Sequence, residues 1–150
     1  MRLGACLTCR SVSGEAPISP VPPVHVGRRW RVEQVGPGGR PGWMVLVAVD
    51  HREALHELDA EEWEELSALL PRVVAAVHEA TGSQKEHVAA FYEKPGYRHV
   101  HWHVVPVFAD DPPEARGTAV FSQLSTTAPA AELVAVSGRV RALLAGSGGT

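Results

Sequence analysis

The chain has 150 residues and a formal net charge of −3, a length sufficient for one domain with a core but short for two. It has no basic excess, which argues against a nucleic-acid backbone as partner, and no apolar stretch long enough to cross a bilayer. The first residues are interrupted by polar side chains too soon to form a secretory signal. We therefore expect a soluble, cytoplasmic protein with no nucleic-acid or membrane partner.

The two cysteines of the chain, Cys6 and Cys9, are spaced as Cys-x-x-Cys. In a reducing compartment such a pair is typical of metal binding or redox chemistry rather than of a structural disulfide. A thioredoxin-type redox pair follows a strand and opens a helix, whereas this pair leads into residues 11–17, which do not resemble the start of a helix. A structural zinc site needs four ligands, so two more would have to come from elsewhere in the chain, where histidines are available.

The first third of the chain is predicted to contain an irregular segment and then a hairpin. Four prolines in residues 10–28 predict an extended, irregular path, and we treat residues 1–28 as one extended N-terminal segment. Residues 29–35 alternate between polar and apolar and predict a strand, and the nearly continuous apolar run at 43–49 predicts a buried central strand. The glycines and prolines at 36–42 predict a turn that joins the two strands as an antiparallel hairpin.

A long amphipathic helix is predicted at residues 60–81. Asp59 and Glu62 have the spacing of a capping box, apolar residues follow at helical intervals, and Gly82 stands where the helix should end. Pro71 lies inside this pattern and removes one backbone donor, so we expect a kink or a break there.

The second half of the chain repeats the order of two strands and a helix. Strands are predicted at 87–93 and 98–108, with a turn at Pro95-Gly96 between them, and a helix at about 129–145. The glycine-rich residues 146–150 are expected to be disordered. Strand, strand, helix, strand, strand, helix is an α+β order.

Three histidines, His99, His101 and His103, alternate with apolar residues along the last predicted strand. Because side chains alternate faces along a strand, the three imidazoles share one face and their apolar neighbours supply the core on the other. Three imidazoles in a row are poor packing material, but they offer nucleophiles, acid/base groups and metal ligands at neutral pH. The alternative is a set of solvated histidines on an exposed sheet face.

The run at 99–105, His-Val-His-Trp-His-Val-Val, resembles the His-φ-His-φ-His-φ-φ signature (φ apolar) of the histidine triad (HIT) superfamily. That superfamily includes the nucleotidylyltransferases related to galactose-1-phosphate uridylyltransferase. The order of predicted elements is also similar, and the resemblance extends from Cys6 to about Phe121. It implies one histidine-triad-like domain over residues 1–150, with an antiparallel sheet of about five strands and two helices. It also implies a homodimer that joins two sheets at the strand beginning at His87.

The resemblance implies a catalytic role for all three histidines of the motif. The middle one, His101, would attack the α-phosphorus of a nucleotide conjugate and carry a nucleotidyl-histidine intermediate. His103 would donate to a non-bridging phosphate oxygen, and His99 would orient His101 or bind a metal. The expected function is that of a nucleotide hydrolase or nucleotidyl transferase acting on a small molecule.

The resemblance also implies a structural Zn²⁺ site. Many bacterial members begin with Cys-x-x-Cys and carry a histidine after the second strand, where this chain has His51. By analogy with the zinc-bearing members, the ligands would be the standard Cys₂His₂ set Cys6, Cys9, His51 and His99. Such a site would anchor the N-terminal segment to two strands and leave His101 free for chemistry. The alternative is a pair of free thiols, with His51 solvated near the helix.

The substrate-recognition residues depart from the family pattern. The phosphate-binding Gly-Gln-Ser/Thr-like segment before the triad is replaced by Lys-Pro-Gly-Tyr-Arg, in which Lys94 and Arg98 are candidate phosphate contacts. The acidic residue that usually binds the ribose hydroxyls appears here as Gln34. Two other functions therefore stay open. One is a non-catalytic nucleotide-binding or regulatory module, and the other is a metal-dependent enzyme whose three histidines hold a catalytic metal, although ligands in a row suit such a site poorly.

Overall fold

The structure is a computed structural model, and it describes residues 6–148. Its helices and strands are α1 (Leu7–Val12), β1 (His25–Val26), β2 (Trp30–Gln34), β3 (Met44–Ala48), α2 (Ala60–Thr81), β4 (Lys85–Ala89), β5 (His101–Val107) and α3 (Ala130–Gly146). Short 3₁₀ helices span Leu55–Glu57, Pro113–Ala115 and Gly117–Ser125. Within the described range, no helix has the length and apolar character that crossing a membrane requires.

The strands form one five-stranded antiparallel sheet in the order β1-β2-β3-β5-β4. The prediction of an α+β chain with hairpin-connected strands is confirmed, because β2 pairs with β3 and β4 pairs with β5. Two strand boundaries differ from the prediction. β4 runs from Lys85 to Ala89 rather than over 87–93, and β5 begins at His101 because the chain bends at His99.

The helix predicted at 60–81 is present with both of its predicted ends. Asp59 accepts from the backbone N–H of Glu62, and the Glu62 carboxylate accepts from the backbone N–H of Asp59, both at 2.8 Å. Gly82 ends the helix in the left-handed region at φ 69°. The helix is not broken at Pro71, since buried residues on both sides, among them Leu69 and Val73, hold it against the core.

The main core lies between one face of the sheet and helices α2 and α3. The sheet supplies the side chains on alternate positions of β2, β3 and β5, and the helices supply the apolar stripe that faces them. Its fully buried members include Trp30, Val32, Met44, Leu46, Ala48, Val73, Val77, Val100, Val104 and Val140. Burying this face on the helices leaves the opposite face of the sheet, with His101 and His103, available for a site.

The N-terminal segment, predicted to be extended, in fact contains α1 and the short strand β1. Cys6 is the N-cap of α1, and its sulfur accepts from the backbone N–H of Cys9 at 3.4 Å. The expectation that the cysteine pair does not open a helix is therefore wrong. A helix of six residues is too short to be stable in water by itself, so α1 depends on contacts with the rest of the fold, which local sequence does not reveal.

At the other end of the chain, α3 occupies the predicted range and ends at Gly146. The expected disorder of 146–150 is therefore wrong for Gly146, while residues 149 and 150 lie outside the described part of the chain.

A buried arginine holds the last irregular segment against the sheet. Arg40 donates through Nη1 to the Pro106 carbonyl at 3.0 Å and to Asp111 at 2.8 Å, and through Nε to the side chain of Gln123 at 2.7 Å. The 3₁₀ helix Gly117–Ser125 is thereby fixed beside the face of the sheet that carries the two histidines.

Candidate active site and metal centre

The candidate active site lies on the sheet face opposite the main core. His101 is paired with Val47 and His103 with Val45, so both imidazoles stand over the central strands. One strand further, β2 places Arg31 beside Val47 and Glu33 beside Val45, and residues directly opposite one another share a face. His99 belongs to a different environment, because it precedes the strand and is completely buried.

A cavity of about 360 Å³ covers His101 and His103. One wall comes from the N-terminal segment, with Thr8, Ser11, Val12, Ile18 and Ser19, and another from Phe91, Lys94, Tyr97, Phe121 and Leu124. Among the described residues that line it, only Lys94 and Glu33 are of a charged type, and most of the others are apolar. The cavity is therefore suited to a ligand with a large uncharged part.

The ring of His101 is held by the backbone of the residue two positions before it. Its Nδ1 lies 2.7 Å from the His99 carbonyl oxygen. A carbonyl oxygen only accepts, so Nδ1 carries the proton of the neutral ring and Nε2 carries a free lone pair. Burial lowers the pKa of His101, which favours this neutral form.

His103 is held by a tryptophan. The indole Nε1 of Trp43 lies 3.0 Å from Nδ1 of His103, and the edge of the His103 ring also contacts Phe121. Burial lowers the pKa of His103 to about 3, so that this imidazole is neutral at physiological pH. The rings of His101 and His103 are neighbours, with centroids 4.9 Å apart.

A second cluster brings together Cys6, Cys9, His51 and His99, whose ligand atoms all lie within 4.8 Å of one another. Nδ1 of His51 is 3.2 Å from the sulfur of Cys9. Nδ1 of His99 is 3.5 Å from the sulfur of Cys9 and 3.7 Å from that of Cys6. The structure thus brings together all four residues that the resemblance implied as metal ligands.

The donor set and its orientation fit a tetrahedral metal. Bonds of about 2.3 Å to sulfur and 2.0–2.1 Å to nitrogen at tetrahedral angles place S and N about 3.6 Å apart, close to the separations in the cluster. The far nitrogen of each ring has its own partner, because Nε2 of His99 lies 2.7 Å from the Ala48 carbonyl and Nε2 of His51 lies 3.2 Å from the Glu53 carboxylate. Those acceptors fix the proton on Nε2 and leave the Nδ1 lone pairs facing the thiols.

The electrostatics of the cluster favour neutral groups unless a cation is bound. Burial, followed by the hydrogen bond with Cys6 and the repulsion that a second thiolate there would exert, raises the pKa of the Cys9 thiol to about 11. Burial also lowers the pKa of His99 to about 4. A bound divalent cation would reverse the preference at sulfur, so metal binding must displace thiol protons and should weaken at low pH.

The three residues predicted to contact substrate are placed differently from one another. Lys94 lines the cavity, and its Nζ lies 5.4 Å from the centre of the Tyr97 ring. Arg98 is exposed and does not line the cavity. Gln34 borders the cavity, but its carboxamide is bonded to the backbone, with Nε2 at 2.8–3.1 Å from three carbonyl oxygens and Oε1 at 2.8 Å from the N–H of Gly42.

The sequence analysis did not single out Glu33 for the site, and it did not predict the hydrogen bond that Trp43 makes there. Glu33 lines the cavity, is 7% exposed, and faces Arg31 at 3.3 Å, while burial raises the pKa of its carboxyl. Strand alternation in β2 was the available signal for Glu33, because it places Arg31 and Glu33 on one face of the strand. Trp43, beside a turn, is predicted from the sequence to be core, and no pattern indicated its hydrogen bond to His103.

No protein-family model matches the chain, and no curated protein matches it either. Several solved structures, however, are similar to it. A zinc-bound histidine triad family protein from Mycobacterium smegmatis is similar with a TM-score of 0.69 at 19% identity, covering 95% of this chain and 94% of its own. A histidine triad nucleotide-binding protein from Sulfolobus tokodaii, described as hypothetical, gives a TM-score of 0.73 at 14% identity, covering 94% and 93%.

A HIT-like protein from Bartonella henselae, described as involved in cell-cycle regulation and carrying an unknown ligand, gives a TM-score of 0.68 at 16% identity and covers 89% of this chain and 92% of its own. At these identities the likeness concerns the fold, and it agrees with the resemblance seen in the sequence. The chain has the fold of the histidine triad proteins.

Proposed function

We propose that the protein is a nucleotide hydrolase or nucleotidyl transferase that forms a nucleotidyl-histidine intermediate on His101. One observation carries the proposal: His101 lines a partly open, mostly apolar cavity with Nδ1 held by the His99 carbonyl, which leaves the Nε2 lone pair free to act as a nucleophile. A neutral imidazole in this state attacks phosphorus without first losing a proton. The Sulfolobus tokodaii protein of the same fold, described as nucleotide-binding, agrees with a nucleotide as ligand.

The reaction divides into two displacements. In the first, Nε2 of His101 attacks the α-phosphorus, a P–N bond forms, and the bond to the leaving group breaks with its electron pair going to the leaving group. In the second, water or another acceptor attacks the same phosphorus, the P–N bond breaks, and its electron pair returns to Nε2. His103 stands beside His101 and donates an N–H to a phosphoryl oxygen as negative charge develops on it.

The rest of the cavity suits the nucleoside part of the ligand. Its apolar wall, with Phe91 and Phe121, accommodates a base, and the buried Glu33 carboxylate accepts from an N–H or O–H of the nucleoside. Lys94 is the cation available at the rim for phosphate charge. Contacts of Gln34 and Arg98 with substrate stay predictions from the sequence.

We further propose that Cys6, Cys9, His51 and His99 hold a structural Zn²⁺. The donor set, the separations and the orientation of both imidazoles support this, and the Mycobacterium smegmatis protein of the same fold is zinc-bound. A bound metal would tie α1, through Cys6 and Cys9, to His51 after β3 and His99 before β5. Because α1 forms part of the cavity wall, these ligands would also help to shape the active site.

A homodimer through the edge of the sheet is the proposed assembly. β4 is an edge strand, and Val88 on it is 42% exposed beside a shallow groove that Leu70 and Val74 of α2 also line. An unpaired edge next to apolar surface is suited to pairing with a second copy. Light scattering at micromolar concentration should give twice the mass of a 16.1 kDa chain, and Val88→Glu should shift it to one chain. A single-chain mass for the unaltered protein would overturn the assembly.

The function is tested with a panel of adenylated and guanylated compounds. His101→Ala should abolish turnover, because the other imidazole among the described cavity residues, His103, has its Nδ1 lone pair bonded to Trp43 and its proton on Nε2. His103→Ala should retain activity lowered about 10²- to 10³-fold, as for loss of one transition-state donor. Turnover by His101→Ala near the parent rate contradicts the proposal. Ligand binding without any turnover by the unaltered protein favours the non-catalytic module.

A further inference from the structure

We propose that Trp43 is a positioning residue that sets His103 as a hydrogen-bond donor toward the substrate. The inference rests on the proposed function, because it assigns how one of that function's two histidines is prepared. It concerns a residue outside the histidine motif, on the loop that precedes β3.

The hydrogen bond between the two side chains determines where the proton of His103 lies. An indole Nε1–H only donates, so Nδ1 of His103, 3.0 Å away, has to accept. In the neutral imidazole the proton is therefore on Nε2. His101 has the opposite arrangement, since its Nδ1 donates to the His99 carbonyl. Two adjacent imidazoles thus present different atoms, a lone pair on His101 and an N–H on His103.

Nε2 of His103 is free to use that proton. It has no hydrogen-bond partner in residues 6–148, and the residue lines the cavity together with His101. Without the Trp43 bond, the His103 ring can turn by half a rotation about its Cβ–Cγ bond, or carry its proton on Nδ1. Either change removes the donor from the position beside His101.

Trp43 is itself held rigidly, as a positioning residue must be. The residue is completely buried, and its ring packs edge-on against Phe121. The buried amide of Gln34 binds the backbone on both sides of it, accepting from the N–H of Gly42 and donating to the Trp43 carbonyl. Gln34 thus supports the loop that delivers the indole to His103.

A second tryptophan provides a matched control. Trp102 lies between the two histidines in β5 but on the opposite face, and its buried Nε1 has no hydrogen-bond partner in the described residues. Replacing either tryptophan by phenylalanine removes an indole N–H and reduces the volume of a packed side chain. Only Trp43→Phe removes the bond to His103.

The first experiment is ¹⁵N–¹H NMR of the histidine rings in the unaltered protein without ligand. Nε2 of His103 should carry the proton, and Nδ1 should show the shift of a hydrogen-bonded acceptor. Trp43→Phe should abolish that acceptor shift, and Trp102→Phe should leave it in place. A proton on Nδ1 of His103 in the unaltered protein overturns the inference, and so does an unchanged Nδ1 shift in Trp43→Phe. Because this measurement needs no turnover, it stands even if the proposed function fails.

The second experiment is a double-mutant cycle in steady-state kinetics. Trp43→Phe should lower kcat about three- to tenfold, the effect of one neutral hydrogen bond, with KM little changed. The same change in the His103→Ala background should have no further effect on kcat, because the residue through which Trp43 acts is absent. Equal losses in both backgrounds mean that Trp43 acts through packing alone and contradict the inference, as does an unchanged kcat in the single variant. Trp102→Phe should retain the parent kcat.

Discussion

Removing the metal is the perturbation with the most clearly defined structural consequence. Cys6→Ser is the matched change, because serine retains the N-cap of α1 that the cysteine sulfur provides but is a poor zinc ligand. Free zinc at a hundred times its Kd stabilises the folded state by about 2.7 kcal/mol. For a chain of this length each kcal/mol corresponds to about 2–4 °C in Tm. Chelation or Cys6→Ser should therefore lower Tm by about 5–11 °C.

The loss of structure on metal removal should be confined to the region around α1. Besides the metal cluster, α1 is tied down by few contacts, chiefly the N–H of Leu7 to the Gly96 carbonyl at 2.8 Å and the Arg31 side chain to the Val12 carbonyl. Val21 and Val24, further along, are buried in their own right. Amide hydrogen exchange should therefore rise over residues 6–19 and change little beyond Val21.

Calorimetry, hydrogen exchange and elemental analysis test this reasoning together, and the exposed His56→Ala is the control for His51→Ala. The expected result is one zinc per chain, lost with a fall in Tm in Cys6→Ser and His51→Ala but retained in His56→Ala and in His101→Ala. Zinc retained by the Cys6→Ser/Cys9→Ser double variant, or a Tm that chelation does not change, would refute the assignment.

Two further predictions follow from buried charged or titratable groups. Burial lowers the pKa of His103 to about 3, so below about pH 6.5 the unfolded chain binds a proton that the folded chain does not, and stability falls by about 1.4 kcal/mol for each pH unit of acidification. Denaturant midpoints of the chelated protein at pH 7 and 5 should show this loss of stability. The loss should be smaller in His103→Asn, whose side-chain oxygen can still accept from Trp43. An equal loss in both proteins contradicts the prediction. Asp111→Ala leaves the guanidinium of Arg40 buried without its carboxylate and should cost about 3–5 kcal/mol of unfolding free energy, whereas the exposed Asp110→Ala should cost less than about 0.5 kcal/mol. Similar values for the two variants would show that the Arg40 contact adds nothing.

The elements predicted from local signals are those that the structure confirms most closely. The capping box at Asp59 and the glycine at 82 define the ends of α2 without reference to the rest of the chain, and alternation placed His101 and His103 on one face of β5. These patterns are short-range, so neighbouring residues are sufficient to specify them.

The parts that the sequence missed depend on residues far apart along the chain. Helix α1 begins at Leu7 after its N-cap Cys6, whose sulfur contacts His99, 93 residues away, and no local periodicity indicates that contact. The bond from Trp43 to His103 joins residues 60 apart, and it depends on the strand register as well as on the loop around Gly42. The full set of four metal ligands was predicted from the family resemblance alone, because ligand spacing in the sequence identified only the two cysteines.

Covalent trapping on His101 is the measurement that tests the proposed mechanism most directly. The protein is mixed with an adenylated or guanylated compound, quenched in denaturant at alkaline pH, where phosphoramidates survive, and digested for mass spectrometry. The account predicts one nucleotidyl group on the peptide that contains His101, chemically competent to pass to water, and none in His101→Ala. Turnover of the same compound with no covalent adduct at any quench time, or an adduct at another residue that His101→Ala leaves unchanged, would contradict it.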